Sequence, residues 1–286
     1  MRPRHIIFGL LALAVLAGLP RNTALAQTPT PLAYWQFSAG EVLAPYGKDA
    51  PKWRVILGPS SVYQPEYEGS DNYQVKPGMV LNIRYRGRLF ISGGEGFGYD
   101  FFRGRNYRAG AALAYDRGRN DDVDGLYGLG GIDPSMQIKL YGEYVFRPQF
   151  LGREMPVILS LDLRRAVASY GGLSGNIGIY SPVAGSKQER YFVFLGGGAS
   201  FVDDKTADAF FGVTAAQSAS SGLPVFNPEW GIRSASIGVN AGWFFTDHML
   251  ATFAIAGKRL ISDVSKSPVV QEEWQFFSSV SLGYAF

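Results

Sequence analysis

The feature that most constrains this chain is an alternation of apolar and polar side chains that runs, with period two, from Trp53 to Phe286. In "MQIKLYGEYVF", Met136, Ile138, Leu140, Gly142, Tyr144 and Phe146 share one face, opposite Gln137, Lys139, Tyr141, Glu143 and Val145. One face is apolar and ends in aromatics, while the other carries both signs of charge. A strand between lipid and a polar interior has this pattern. In "GMVLNIRYR", Met79, Leu81, Ile83 and Tyr85 oppose Asn82, Arg84 and Arg86; in "VILSLDLRR", Val157, Leu159, Leu161 and Leu163 oppose Ser160, Asp162 and Arg164. With the weaker "NIGIYSPV" and "AFFGVT" included, the spacing predicts an all-β chain: a closed antiparallel transmembrane β-barrel of about 12 strands over residues 53–286.

A soluble β-sandwich also alternates, because any half-buried antiparallel strand does. Three features weigh against it: many strands without a domain break, aromatics at strand ends, and charges where a second sheet would pack. Segments of about ten residues are long for a sandwich and suit a tilted membrane span.

The amino terminus reads as an export signal over residues 1–26. Arg2 and Arg4 precede an apolar run from Ile6 to Leu19, and Ala24 and Ala26 set cleavage before Gln27. Removing Arg2, Arg4 and Arg21 lowers the 27 Lys and Arg by three, level with the 24 Asp and Glu. The mature chain is then neutral and carries no electrostatic case for nucleic acid. No cysteine is present, so no disulfide framework is needed after export. Residues 27–52 are Pro-rich and weakly periodic, a periplasmic lead-in to the barrel.

Outer-membrane barrels pair short periplasmic turns with longer outer loops. Counting from a first strand at Trp53, "SYGG" near Gly171, "VDDKTAD" near Asp204 and "TDH" near Asp247 fall as short periplasmic turns. Gln64 to Lys76, Ala215 to Glu229 and Arg259 to Glu273 fall as outer loops. Asp116 to Asp133 is long where this count expects a short turn.

Several segments resemble the MipA/OmpV family of outer-membrane proteins: "GPSSVYQPEYEGSDNYQVKPG" from Gly58, "GAALAYDRGRNDDVDGLYGLGGID" from Gly110, "DAFFGVTAAQSASSGLPVF" from Asp208, "RLISDVSKSPVV" from Arg259, and the final "GYAF". The resemblance implies a closed outer-membrane barrel without catalysis. For some members it implies a scaffold joining a murein (peptidoglycan) lytic transglycosylase to a murein synthase. It also implies that Asp116 to Asp133 is a periplasmic feature and a possible partner surface. "SLGYAF" is similar to the terminal signal of such barrels, so Val280, Leu282, Tyr284 and Phe286 are expected to be read by the barrel assembly machinery, Phe286 above all.

Enzymatic chemistry finds little material. His5 leaves with the signal and His248 sits in a turn, so no imidazole is placed for proton shuttling. Lys266 and Ser267 are neighbours, which on a strand point to opposite faces. No cofactor is expected. "NDDVDG", Asn120 to Gly125, looks like a calcium loop but lacks the bidentate glutamate at its twelfth position, where Gly131 stands. "GGEGFG", Gly93 to Gly98, lacks the spacing of a phosphate cradle and reads as a bulge or a close backbone approach. The inward charges Arg84, Arg86, Lys139, Glu143, Asp162 and Arg164 line a water path or form a salt-bridged plug. The alternative to a scaffold is therefore a porin-like channel for small solutes.

Overall fold

In the computed structural model, residues 52–286 are described apart from Leu151 and Lys187; the expected signal peptide and nearly all of the expected lead-in lie outside the described residues. The strands are β1 (Trp53–Pro65), β2 (Tyr73–Tyr85), β3 (Leu89–Ser92), β4 (Gly96–Arg103), β5 (Tyr107–Asp116), β6 (Ser135–Phe146), β7 (Gln149–Phe150), β8 (Arg153–Glu154), β9 (Val157–Ala166), β10 (Leu173–Ser186), β11 (Tyr191–Val202), β12 (Gly231–Phe244), β13 (Met249–Leu260) and β14 (Trp274–Ala285). Twelve of them form one closed barrel in chain order, and β7 and β8 make a separate small hairpin. All pairing is antiparallel, and β14 returns to β1 in a register that runs from Ile56↔Ala285 to Tyr63↔Ser278. Closure leaves no edge at this seam, as a wall in lipid requires. The strands approach so closely there that a Cβ on Gly58 would stand 1.8 Å from the Leu282 carbonyl oxygen.

Alternation sorts the side chains as the sequence predicts. On β14, Gln275, Phe277, Ser279 and Ser281 are buried inside, while Trp274, Phe276, Val280, Leu282 and Tyr284 are exposed on the outer wall. Outward aromatics mark two levels. Trp53 lies against Tyr85, Tyr144 against Phe146 and Tyr284 against Phe286 at the end where β1 starts and β14 finishes; Tyr63 stacks on Tyr73 at the other. From Trp53 to Tyr63 a tilted strand rises about 25 Å, the height of an outer-membrane apolar band. The chain is an outer-membrane β-barrel.

The connections correct part of the sequence reading. "GGEGFG" is the tip of a tight hairpin joining β3 to β4, with Gly93, Gly94 and Glu95 in the turn. Taking this stretch as one strand miscounts by one and reverses the side of each connection from there to "AFFGVT". Residues 117–134 therefore lie at the external end, not in the periplasm, and so does the turn at 167–172. "AFFGVT" is no strand: Asp203 caps helix α1 (Asp204–Phe211) by accepting from the Thr206 amide, and Ala207, Phe210 and Phe211 are buried at helical spacing. "VDDKTAD" thus opens the external connection 203–230. Helix α2 (Ala215–Ser221) follows, started by a Thr214–Gln217 capping box and stopped by Gly222 at φ 78°. The lost strand restores the count, so "TDH" does turn at the periplasmic end.

Candidate functional site

The lumen is filled by two kinds of contact. Toward one side, apolar residues from six strands meet across the interior: Val145, Ile158, Tyr180, Phe194, Ala256 and Phe277. A second group, Ile56, Val80 and Leu250, packs with Phe192 and Phe244. Between β2 and β10 the inward faces are ionic. Glu95, carried inward on the β3–β4 tip, accepts from Arg84 at 2.5 Å and from Arg108 at 2.6 Å. Arg108 also donates to Glu143 at 2.7 and 2.8 Å. Tyr141 donates to Asp100, and Asp162 accepts from Arg164 at 2.8 Å and Asn176 at 3.0 Å. Arg84 lies over the Phe90 ring, and Arg108 and Lys139 over Tyr141. Burying this much charge is tolerable only because each group finds opposite charge or hydrogen bonds. The space left beside Glu95, Lys139, Glu143, Asp162 and Asn176 is about 30 Å³, room for a few water molecules.

Five of the six charges expected inside thus converge: Arg84, Lys139, Glu143, Asp162 and Arg164. Arg86 does not. It occupies the β2–β3 turn at φ 48°, exposed, with its guanidinium 5.4 Å from the Tyr85 ring centroid, because the strand ends one residue earlier than its alternation suggests. Glu95, Asp100 and Arg108 were not singled out from the sequence. Arg108 was legible, since Tyr107, Ala109 and Ala111 leave it on the polar face; Glu95 was hidden in the glycine-rich tip.

The external mouth carries a folded lid. Tyr67, Leu126, Leu129, Val213 and Val269, from four different connections, form one apolar cluster. Ala207, Phe210, Phe211 and Val264 pack beneath with Val202 and Leu260 of the wall. Polar contacts tie the connections together: Tyr67 donates to the Val269 carbonyl at 3.1 Å, Ser220 to the Gly128 carbonyl at 2.7 Å, and Arg119 to the Phe210 carbonyl at 2.5 Å. Burial pushes the Tyr67 phenol up and brings the Arg119 guanidinium down to about 10. Glu68 anchors the lid to the wall by accepting from Lys258 at 2.7 Å, with Arg233 3.4 Å away. Burial alone would raise its carboxyl, but Arg233 and Lys258 hold it below the usual range.

The residues weighed for catalysis stay apart. His248 stacks on Tyr284 in a periplasmic turn, Ser267 donates to the Phe211 carbonyl, and Lys266 pairs with Asp263. Among the described residues, no three His, Asp or Glu side chains are grouped to hold a metal. Val280, Leu282, Tyr284 and Phe286 face outward, between 41% and 74% exposed, on the apolar wall.

Residues 57–286, nearly the whole barrel, match the family described as MltA-interacting protein MipA. The chain belongs to the MipA family. No curated protein matches it. Among solved structures, this MipA-family chain is similar to the COG4313 outer membrane channel from Pseudomonas putida F1, at 13% identity and TM-score 0.45, over 82% of this chain and 94% of that one. It is also similar to the CymD monoaromatic hydrocarbon channel, at 12% identity and TM-score 0.35 over 92% and 98%, and to the outer membrane protease OmpT from Escherichia coli, at 9% identity and TM-score 0.27 over 82% and 96%.

Proposed function

We propose that this MipA-family barrel is a noncatalytic scaffold of the outer membrane, holding a murein lytic transglycosylase and a murein synthase at its periplasmic face. The family description names an MltA-interacting protein, which supports the first partner. The observation that carries the reading is the filled lumen: apolar contacts cross it, ion pairs occupy the rest, and the lid covers the external mouth. With the interior so occupied, the barrel's useful surface is its outside.

The largest described periplasmic connection is the β7–β8 hairpin within residues 147–156, braced by Arg147 donating to Glu154 at 2.9 Å. It takes over the contact role that the sequence reading gave to residues 116–133.

Affinity purification of the intact barrel in mild detergent tests the proposal. The wild-type protein retains both murein enzymes, and replacing residues 149–154 with Gly-Gly releases at least one of them while the barrel still folds. A folded wild-type barrel that retains neither enzyme refutes the scaffold. The ionic lining of the lumen favours the second reading, a small-solute channel whose lid and plug move aside, and conduction separates the two.

A further inference from the structure

The charges at the two ends of the barrel are sorted by sign. At the periplasmic end, residues 52–55, 85–90 and 101–107 lead into β1 and make the β2–β3 and β4–β5 turns; they hold Lys52, Arg54, Arg86, Arg88, Arg103 and Arg105 and no Asp or Glu. At the external end, the 66–72 connection holds Glu66, Glu68 and Asp71 and no Lys or Arg. The three basic segments are neighbours in the wall. Trp53 pairs with Tyr85, the Arg86 amide donates to the Lys52 carbonyl at 3.0 Å, and the Asp100 amide donates to the Arg88 carbonyl at 3.0 Å. They form one continuous basic arc of the periplasmic rim.

Side-chain direction separates this arc from a belt that faces lipid. Arg54 is the register partner of Arg84 and stands two residues from Ile56; Arg103 is the register partner of Arg108. Arg84, Ile56 and Arg108 are all buried inside, and paired residues share a face, so Arg54 and Arg103 project into the mouth of the lumen. The carboxylates of this side, Glu95, Asp100 and Glu143, lie deeper, against Arg84 and Arg108. The rim itself therefore keeps a positive field, concentrated by the low-dielectric walls around it.

The floor of the same mouth is apolar. Phe192, Phe244 and Leu250 each lie within two residues of the periplasmic end of their strands, and they pack with Ile56 and Val80 across the lumen. A cavity of about 310 Å³ opens beside Phe192 and Phe244, with Ser186 and Arg190 at its edge.

This combination selects among anions. Phospholipid headgroups lie outside the wall and do not reach Arg54 and Arg103 inside it. Murein offers carboxylates, but its sugars and short stem peptides carry no large apolar group for the floor. An acidic peptide segment with one large apolar side chain offers both, carboxylates for the guanidinium forks and an anchor for the cavity.

We propose that the periplasmic mouth docks an acidic peptide segment of a periplasmic protein. Its carboxylates lie against Arg54 and Arg103, its apolar side chain covers Phe192 and Phe244, and the exposed Lys52, Arg86 and Arg105 steer its approach. The site does not rest on the scaffold reading, whose contact is the β7–β8 hairpin.

Fluorescence anisotropy on the intact purified barrel in maltoside micelles tests it, with a labelled synthetic peptide of Asp and Glu residues around one Phe. The expected result is saturable binding that weakens at least tenfold between about 0.1 M and about 1 M salt. Affinity also falls at least tenfold in Arg54→Gln/Arg103→Gln, and severalfold when the peptide's Phe is replaced by Gly. Arg86→Gln/Arg105→Gln, at exposed turn residues, slows association and keeps the proposal testable should the inward double variant not fold. No saturable binding by wild type, wild-type affinity in a folded, heat-modifiable Arg54→Gln/Arg103→Gln, or an unchanged association rate in Arg86→Gln/Arg105→Gln overturns the proposal. Full displacement of the peptide by an equal concentration of soluble muropeptides, or by phosphatidylglycerol doped into the micelles, makes the mouth a murein or a lipid site and overturns the peptide assignment.

Discussion

Removing the Glu68 carboxylate should loosen the lid without unfolding the barrel. Glu68 lies on the 66–72 connection and is the lid's ionic anchor to the wall, 2.7 Å from Lys258 of β13 and 3.4 Å from Arg233 of β12. The three side chains are 6%, 1% and 9% exposed, so water does not take over the role of a missing partner. Glu68→Ala leaves two cations facing each other in a buried space. Breaking a buried pair from one side costs about 3–5 kcal/mol, roughly two to three and a half powers of ten in an opening equilibrium. The cost falls on lid opening, because the wall strands keep their own ladders. Hydrogen exchange reads this directly: the Val213 and Phe226 amides donate to each other's carbonyls inside the lid and report its opening. Both should exchange at least a hundredfold faster in Glu68→Ala, while Phe253 and Val280 in the β13–β14 ladder stay protected. Adding Lys258→Met should recover about 1–2 kcal/mol by removing one stranded charge. Lid protection within threefold of wild type in Glu68→Ala would refute the anchor.

The same carboxylate predicts a pH dependence. Its folded pKa is depressed, so its stabilisation is present above the unfolded value and is lost as pH falls through the folded one; lid protection should drop below the ordinary glutamate range and stay flat from pH 6 to 8. Gly58→Val sets a side chain against the Leu282 carbonyl at the β1–β14 seam, and should cost about 1–3 kcal/mol in urea unfolding and lower the yield of heat-modifiable barrel. An unchanged midpoint would mean the seam relaxes freely. Phe286→Ala should slow assembly in cells yet leave the refolded barrel's stability within about 0.5 kcal/mol, because this side chain is exposed on the wall. Normal assembly kinetics would remove Phe286 from the terminal signal.

The wall was legible because lipid and lumen impose opposite demands on neighbouring residues. β6 shows this best: each outward Met136, Ile138 and Leu140 alternates with an inward Gln137, Lys139 and Tyr141. The β3–β4 hairpin escaped because its strands are short, four and eight residues, and its tip is made of glycines, which carry no inside or outside preference. That one omission moved residues 116–133 to the wrong side of the membrane. Helix α1 escaped because Phe210, Phe211 and Val213 suit a strand when read alone; the cap at Asp203 and buried Ala207 and Phe210 favour a helix only over a longer window. The lumen charges were half legible. Alternation gives direction, so Arg84 and Lys139 could be placed inside, but which charges pair across the barrel depends on registers that join residues such as Glu95 and Arg108.

The central claim is that this MipA-family barrel is closed and acts through its surface. Single-channel recording of the purified protein in a planar bilayer tests it most directly, with a boiled sample as control. The account predicts a folded barrel without unitary steps at neutral pH. Stable, reproducible steps from the folded, unmodified protein, absent after boiling, would contradict it and make the lumen the working part of the molecule.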